Sequence, residues 1–146
     1  MKPQDIFRGI SAFLLILGAS TFTTGAHAEV VVIVSAKSRI TSITAAQTAR
    51  IFLGKTSEFP DDSDAVPIDQ PVGSEIRNEF YTKVVHKNTS QLSAYWAKII
   101  FTGDGRPPDI LDGDAAVRRA VAKNPNAIGY IDKTSVNRTV RVILAP

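Results

Sequence analysis

The apolar residues of the chain fall into four short runs that are typical of β-strands. The run Val30–Val34 is continuous and β-branched, as expected for a central strand that is covered on both faces. A short strand is expected at Ala65–Ile68. The runs Ala127–Ile131 and Thr139–Leu144 predict two more strands, which close the chain around a turn near Asn137.

Between these runs the apolar positions recur at helical spacing, and each segment begins near a residue that can cap a helix. Thr44 and Gln47 form a capping box, and the helix that they begin should end at Gly54. Ser74 is the predicted N-cap of a second helix. The apolar face of that helix is a stack of residues at positions i, i+4 and i+8: Ile76, Phe80 and Val84.

Two further helices are predicted in the second half of the chain. One follows Asn88–Ser90 and ends at Gly103. Its amphipathic spacing is set by five residues: Leu92, Tyr95, Trp96, Ile99 and Ile100. Either Asp112 or Asp114 caps the last helix. Strands that alternate with helices predict an α/β fold, a three-layer α/β/α sandwich with a mainly parallel or mixed sheet.

The first 28 residues resemble an export signal rather than a part of this fold. Lys2 and Arg8 give a positive start, and the apolar run Ile10–Ala19 is too short for a membrane span of roughly 20 residues. The segment Ala26–Ala28 is a small-x-small cleavage signal. We therefore expect a signal peptide at 1–28, a single domain at 29–146 and a location in the bacterial periplasm.

Composition narrows the classes of function that the exported chain can have. With Lys2, Arg8 and Asp5 removed, 15 basic and 13 acidic side chains remain of the 17 and 14 in the whole chain. The two signs are mixed along the sequence, so nucleic acid is not an expected partner. The chain has no cysteine, which excludes disulfides, thiolate metal sites and cysteine nucleophiles.

Residues with catalytic or metal-binding potential lack the partners that such chemistry needs. His86 is the one histidine after the leader and has no second metal ligand at a recognisable spacing. No serine lies in a nucleophile-elbow context. The sequence therefore predicts a protein that is not an enzyme and that needs no metal or cofactor.

Three side chains leave a choice between a ligand and a structural role. Tyr95 and Trp96 could stack on a ligand, but their helical spacing favours a place in the core. Arg106 lies in a loop fixed by glycine and proline, where it serves either as an anion ligand or as a donor to nearby carbonyl groups.

Several segments, taken in order, resemble a known family. They are "IFLGK", "DQPVGSEIRNEF", a helix with tryptophan, and "NPNAIGYID". In this order they resemble the substrate-binding proteins of bacterial phosphate ABC transporters. The segment Phe101–Pro108 makes the chain more similar to short, single-domain members with an FTG-x-G-R-P-P motif. The resemblance implies one lobe of a type 2 periplasmic binding protein, whereas the full-length proteins close two lobes on the anion.

The resemblance also implies where an anion would bind. In the full-length family, a turn similar to Arg-x-x-Gly-Ser-Gly-Thr-Arg surrounds phosphate, and Gly73, Ser74 and Arg77 match it. Three positions depart from it: Gln70 replaces the first arginine, Glu75 the second glycine and Ile76 the threonine. A carboxylate at this place repels an anion, although it also stabilises the first turn of a helix.

Arg77 itself has two interpretations, because a cation in the first turn of a helix opposes the helix dipole. Its guanidinium either contacts an oxyanion or pairs with Glu75, Asp69 or another carboxylate. Six residues form the predicted ligand-binding set: Gln70, Gly73, Ser74, Glu75, Arg77 and Arg106.

Two functions follow from this interpretation of the sequence. The first is a periplasmic solute-binding-like module of phosphate-receptor ancestry that binds phosphate or another oxyanion weakly. The second is a non-catalytic protein-interaction module that has lost phosphate binding and presents the former cleft face to its partner. Its candidate partners are a membrane transporter, a sensor, a porin or another copy of the chain.

Overall fold

The computed structural model describes residues 27–146, so residues 1–26 of the leader predicted at 1–28 lie outside the described residues. The described residues form one five-stranded sheet with the strand order β3-β2-β4-β1-β5. The strands are β1 (Val30–Ser35), β2 (Val66–Asp69), β3 (Asp109–Ile110), β4 (Ala127–Asp132) and β5 (Val140–Leu144). The four strands expected from the apolar runs are all present, and β3 is an addition.

The sheet is mixed, in agreement with the predicted fold class. Strand β1 pairs antiparallel with both β4 and β5, while β2 is parallel to β4 and to β3. The sequence suggested that the last two strands lie around a turn near Asn137. They are joined there, but β1 lies between them, since Val32 pairs with Tyr130 of β4 on one side and with Leu144 of β5 on the other.

Helices cover both faces of the sheet. They are α1 (Ala45–Phe52), α2 (Glu75–Phe80), α3 (Thr89–Thr102) and α4 (Asp114–Lys123), and α2 continues into a π-helical turn at Tyr81–Val85. Because successive residues of a strand point to opposite faces, β1 contributes to two cores. Val32 packs in one core with residues of α1, α2 and α3, and Ile33 packs in the other core with residues of α4. The result is the expected three-layer sandwich.

The helix starts confirm most of the predicted caps. Thr44 and Gln47 form the capping box of α1, Ser74 accepts a hydrogen bond from the backbone of Arg77, and Asn88 caps α3. The prediction for α4 was wrong, because Gly113, with a φ of 87°, occupies the cap position. The carboxylate of Asp114 is bound instead by groups of other elements.

One glycine fixes the distance between α4 and the sheet. A Cβ at Gly129 of β4 would lie 2.7 Å from a methyl group of Val117, which is too close for any side chain. Within residues 27–146, none of the helices is long and apolar enough to cross a membrane.

Candidate functional site

A buried carboxylate lies at the end of β2, next to the turn that the sequence singled out. Asp69 is 3% exposed. Its oxygens accept hydrogen bonds from the hydroxyl of Tyr81 at 2.8 Å, from the hydroxyl of Tyr130, and from the backbone N–H of Gln70 at 2.8 Å. A buried carboxylate is stable only when its oxygens are bound in this way, so the surrounding donors are part of the fold.

Arg77 completes the shell of donors around Asp69. Its Nε lies 3.3 Å from Oδ1 of Asp69 and its Nη2 lies 3.4 Å from Oδ2, so the guanidinium meets the carboxylate side-on. The arginine side chain is 8% exposed, and its guanidinium carbon lies 4.8 Å from the centre of the Tyr81 ring. Of the carboxylates considered as partners, the structure therefore selects Asp69.

This pair leaves part of the guanidinium unused. Arginine has five N–H donors, and the contact with Asp69 uses Nε and Nη2. Within residues 27–146, Nη1 of Arg77 makes no hydrogen bond. Every fully buried side-chain nitrogen or oxygen in these residues has a hydrogen-bond partner. Nη1 of Arg77 is therefore not fully buried, and the contact with Asp69 leaves its N–H donors without a partner among the described residues.

Gln70 belongs to the same network but faces the interior. It is 2% exposed, and its amide nitrogen donates to Oδ1 of Asp114 at 2.9 Å and to the backbone oxygen of Tyr130 at 3.0 Å. The other oxygen of Asp114 accepts from the backbone N–H of Asp132 at 3.0 Å and from the hydroxyl of Ser135 at 2.8 Å. Gln70 thus ties α4 to the sheet, and its side chain is engaged in the fold.

The turn between Gln70 and Arg77 exposes its middle residues to solvent. Gly73 has a φ of 90°, a left-handed conformation that favours glycine, and a Cβ there would meet no atom within 4 Å. Ser74 is partly buried and accepts the N–H of Arg77 at 3.4 Å, while Glu75 is exposed. Ile76 is buried in the core, where the family turn has a hydroxyl group.

Burial of the network sets the protonation of its two tyrosines. Burial raises the pKa of Tyr81 and of Tyr130 well above the usual value, and the negative charge and the hydrogen bond of Asp69 raise it further. The raised pKa favours the protonated phenols, which act as donors to Asp69.

Arg106 lies in a different place from the rest of the predicted set. It is exposed and lines a cavity of about 390 Å³ together with Lys55, Pro67 and Asp109. None of the residues from Gly73 to Arg77 lines that cavity. The structure therefore brings together five of the six predicted residues and separates Arg106 from them.

Tyr95 and Trp96 of α3 are structural, as their spacing predicted. Trp96 is 7% exposed and packs over Gly54, whose added Cβ would lie 3.4 Å from the indole ring. Tyr95 donates its hydroxyl to the backbone oxygen of Leu53 at 2.6 Å. Both residues hold α3 against the end of α1.

The sequence did not reveal three members of the network, namely Tyr81, Tyr130 and Asp114. Tyr130 lies within an apolar strand, where a tyrosine is typical of a core, and it is 61 residues away from Asp69 along the chain. The sequence feature that could have indicated this network is Asp69 at the end of a strand. A carboxylate that is buried there must accept hydrogen bonds from donors elsewhere in the chain.

No family model and no curated protein matches the sequence, so the similarity to known proteins is one of structure. A protein described as a phosphate ABC transporter substrate-binding protein of Clostridium perfringens, solved with bound phosphate, is 22% identical with a TM-score of 0.62. An ABC-type phosphate transport receptor of Vibrio cholerae is 18% identical with a TM-score of 0.64. PstS of Borrelia burgdorferi is 16% identical with a TM-score of 0.59.

Each of these similarities covers 80% of this chain but only 44%, 45% and 46% of the three larger proteins. The chain therefore has the fold of somewhat less than half of a phosphate-binding protein of this class. This confirms, at the level of fold, the resemblance that was drawn from the order of the sequence segments.

Proposed function

We propose that the chain is a periplasmic, non-catalytic solute-binding-like module that binds a small oxyanion, with phosphate as the first candidate. The observation that carries this proposal is the match of four-fifths of the chain to receptors for phosphate, one of which was solved with phosphate bound. The periplasmic location rests on the predicted signal peptide and on the same class of transport proteins.

Arg77 is the residue that we propose as the main contact with the anion. It is held by Asp69 and by the ring of Tyr81, so little freedom is lost when it binds a ligand. Its Nη1 edge is the part that remains available, and an arginine that bridges a carboxylate and an oxyanion forms charge-assisted hydrogen bonds with both.

We expect the affinity to be modest. The buried charge of Asp69 offsets that of Arg77, and Glu75 adds an exposed negative charge two residues before it. Gln70, which replaces the first arginine of the family turn, is engaged in the fold. Ions in contact with water are screened over a Debye length of about 8 Å, so a single open lobe holds its ligand weakly.

Isothermal titration of residues 29–146 with phosphate tests the proposal, with sodium chloride at the same ionic strength as the blank. We expect a dissociation constant in the micromolar to millimolar range, roughly −8 to −4 kcal/mol. Arg77→Lys keeps the charge but loses the planar fork of donors, so binding should weaken by about tenfold. Arg119→Lys, an exposed change on α4, is the matched control and should bind like the wild type.

Two outcomes would refute this function. One is the absence of heat up to millimolar phosphate. The other is equal binding by the Arg77→Lys and Arg119→Lys variants, because the contact would then not depend on the guanidinium of Arg77. Circular dichroism of each variant shows whether the fold is retained.

The second candidate function, a protein-interaction module, is favoured by the exposed end of α3. Phe101 is 92% exposed and Ile100 is 58% exposed, next to the loop that begins at Gly103. Adjacent large apolar side chains on a surface are typical of an interaction site. The partner would be a membrane protein or another copy of the chain.

Self-association is the simplest form of this second function. Analytical ultracentrifugation of the wild type and of the Phe101→Ser variant tests it. A concentration-dependent dimer that is lost in Phe101→Ser would support it. Two monomeric proteins would exclude another copy of the chain as the partner over the range of concentrations measured.

A further inference from the structure

A small cavity lies next to Arg77, between α2 with its π-helical extension and the start of α3, and no residue of the turn Gly73–Ile76 lines it. It has a volume of about 120 Å³. Its polar wall is formed by Arg77, Asn78, Thr82, Lys87, Asn88 and Thr89. None of the described residues that line this cavity is acidic. The cavity therefore combines two cations with four neutral hydrogen-bonding side chains.

Most of the donors in this wall have no partner in the fold. The oxygen of Asn88 caps α3 by accepting the N–H of Gln91, and the oxygen of Asn78 accepts the hydroxyl of Thr89 at 3.4 Å. Within residues 27–146, the amide nitrogens of both asparagines and the Nζ of Lys87 make no hydrogen bond. These groups leave N–H donors for a ligand in the cavity.

Of the acids nearest in sequence to this wall, Glu75 is exposed and does not line the cavity, and the other two are paired. Asp69 is bound by Arg77 and by the hydroxyl of Tyr81, and Glu79 pairs with Lys83 at 2.6 Å. Lys87 is half-buried, and its Nζ lies 5.8 Å from the centre of the Tyr95 ring, which keeps the side chain near α3. Because Asp69 offsets the charge of Arg77, the net positive charge at the cavity comes from Lys87, and this favours an anion.

The cavity is large enough for a small tetrahedral anion. A single water needs roughly 10–15 Å³ of such space, so about 120 Å³ accommodates a tetrahedral ion with a few waters. A small tetrahedral oxyanion also has enough acceptor oxygens for arginine, lysine and amide donors at once.

We infer that this cavity is the oxyanion site of the chain, and that phosphate or sulfate binds there between Arg77 and Lys87. This inference rests on the proposed function. It places the anion in the cavity rather than at the turn Gly73–Glu75. The turn offers exposed backbone and a carboxylate, whereas the cavity offers two cations and several unpartnered donors.

The test is a titration of ¹⁵N-labelled residues 29–146 with phosphate, and separately with sulfate, at constant ionic strength. The amide signals of Thr82, Lys87 and Thr89 should shift together with the side-chain NH₂ signals of the two asparagines. Lys87→Met should weaken binding by about tenfold, as expected for the loss of a hydrogen bond to a charged group. Lys98→Met, an exposed change on α3, is the matched control and should bind like the wild type.

The outcomes separate this inference from the function on which it rests. Shifts centred on Gly73–Ile76, with Lys87→Met and wild type binding equally, would refute the cavity and leave oxyanion binding intact. The absence of any shift or heat with either ion would refute both. Shifts that sodium chloride alone reproduces would show non-specific screening and would also refute the cavity.

Discussion

Replacing Asp69 with asparagine should destabilise the chain strongly, because it leaves the charge of Arg77 buried without a partner. Asparagine has nearly the same shape, so packing is preserved and the change is electrostatic. The carboxylate now receives two contacts from Arg77 and a hydrogen bond from each of Tyr81 and Tyr130. The network has no substitute acid, since Asp114 is occupied by Gln70.

The structure gives the expected size of the effect. Removing one partner of a buried ion pair costs about 3–5 kcal/mol, and both side chains here are less than a tenth exposed. The predicted mature chain has 118 of the 146 residues. At about 2.1 cal/mol/K of unfolding entropy per residue, the loss corresponds to a fall in Tm of roughly 12–20 °C.

Urea unfolding followed by the fluorescence of Trp96, the one tryptophan, measures this loss. Asp112→Asn removes an exposed acid and should change the free energy of unfolding by less than about 0.5 kcal/mol. The double variant Asp69→Asn with Arg77→Met should lose less than the sum of the two single variants, by about 0.5–3 kcal/mol, because no unpaired charge remains. Additive losses, or an Asp69→Asn variant as stable as Asp112→Asn, would refute the buried pair as a stabilising element.

Three other predictions concern the core, the tyrosines and the leader. Trp96→Ala should lower the free energy of unfolding by about 3–5 kcal/mol in urea, and a loss under 1 kcal/mol would contradict its core role. Because folding raises the pKa of Tyr81 and Tyr130, their contribution to the free energy of unfolding is fully present below pH 10. Above pH 10 that contribution is lost by about 1.4 kcal/mol per pH unit for each tyrosine. The Tyr81→Phe variant should therefore lose less stability than the wild type between pH 10 and 11. An unchanged slope would show that Tyr81 ionises in the folded chain. Cleavage after Ala28 should give an intact mass that begins at Glu29 in protein from an exporting host, and a mass that includes residues 1–28 would contradict the leader.

The sequence predicted the local features of the fold well, because these depend on neighbouring residues. The caps at Thr44 and Ser74 and the apolar stack of α2 are set by contacts within a few positions. The fully buried strand β1 was visible from its continuous apolar run. In each case the physical cause lies inside one segment.

Strand order was not predictable in the same way, because it depends on pairing between distant segments. Strand β1 lies between β4 and β5, about a hundred residues away along the chain, so the turn near Asn137 does not form a hairpin. The two-residue strand β3 follows a proline pair and has no pattern of its own. Its pairing with β2 is visible only in the assembled sheet.

In the candidate site, too, the sequence predicted local features but not contacts between distant residues. Gly73, Ser74 and Arg77 were found from the order of residues in one turn, and Asp69 was among the partners considered for Arg77. The position of Gln70 inside the network and the role of Tyr130 come from contacts across 44 to 61 residues. Arg106 was grouped with the turn by sequence, and the tertiary structure places it in another cavity.

The most direct test of oxyanion binding beside Arg77 is a crystal structure of residues 29–146 soaked with arsenate, a tetrahedral analogue of phosphate with an anomalous signal. We expect an anomalous peak within hydrogen-bond distance of Nη1 of Arg77, in the cavity that it shares with Lys87. The side-on pair of Arg77 and Asp69 should remain intact. Occupied arsenate sites only between molecules of the lattice, with the cavity beside Arg77 empty, would contradict binding at this place.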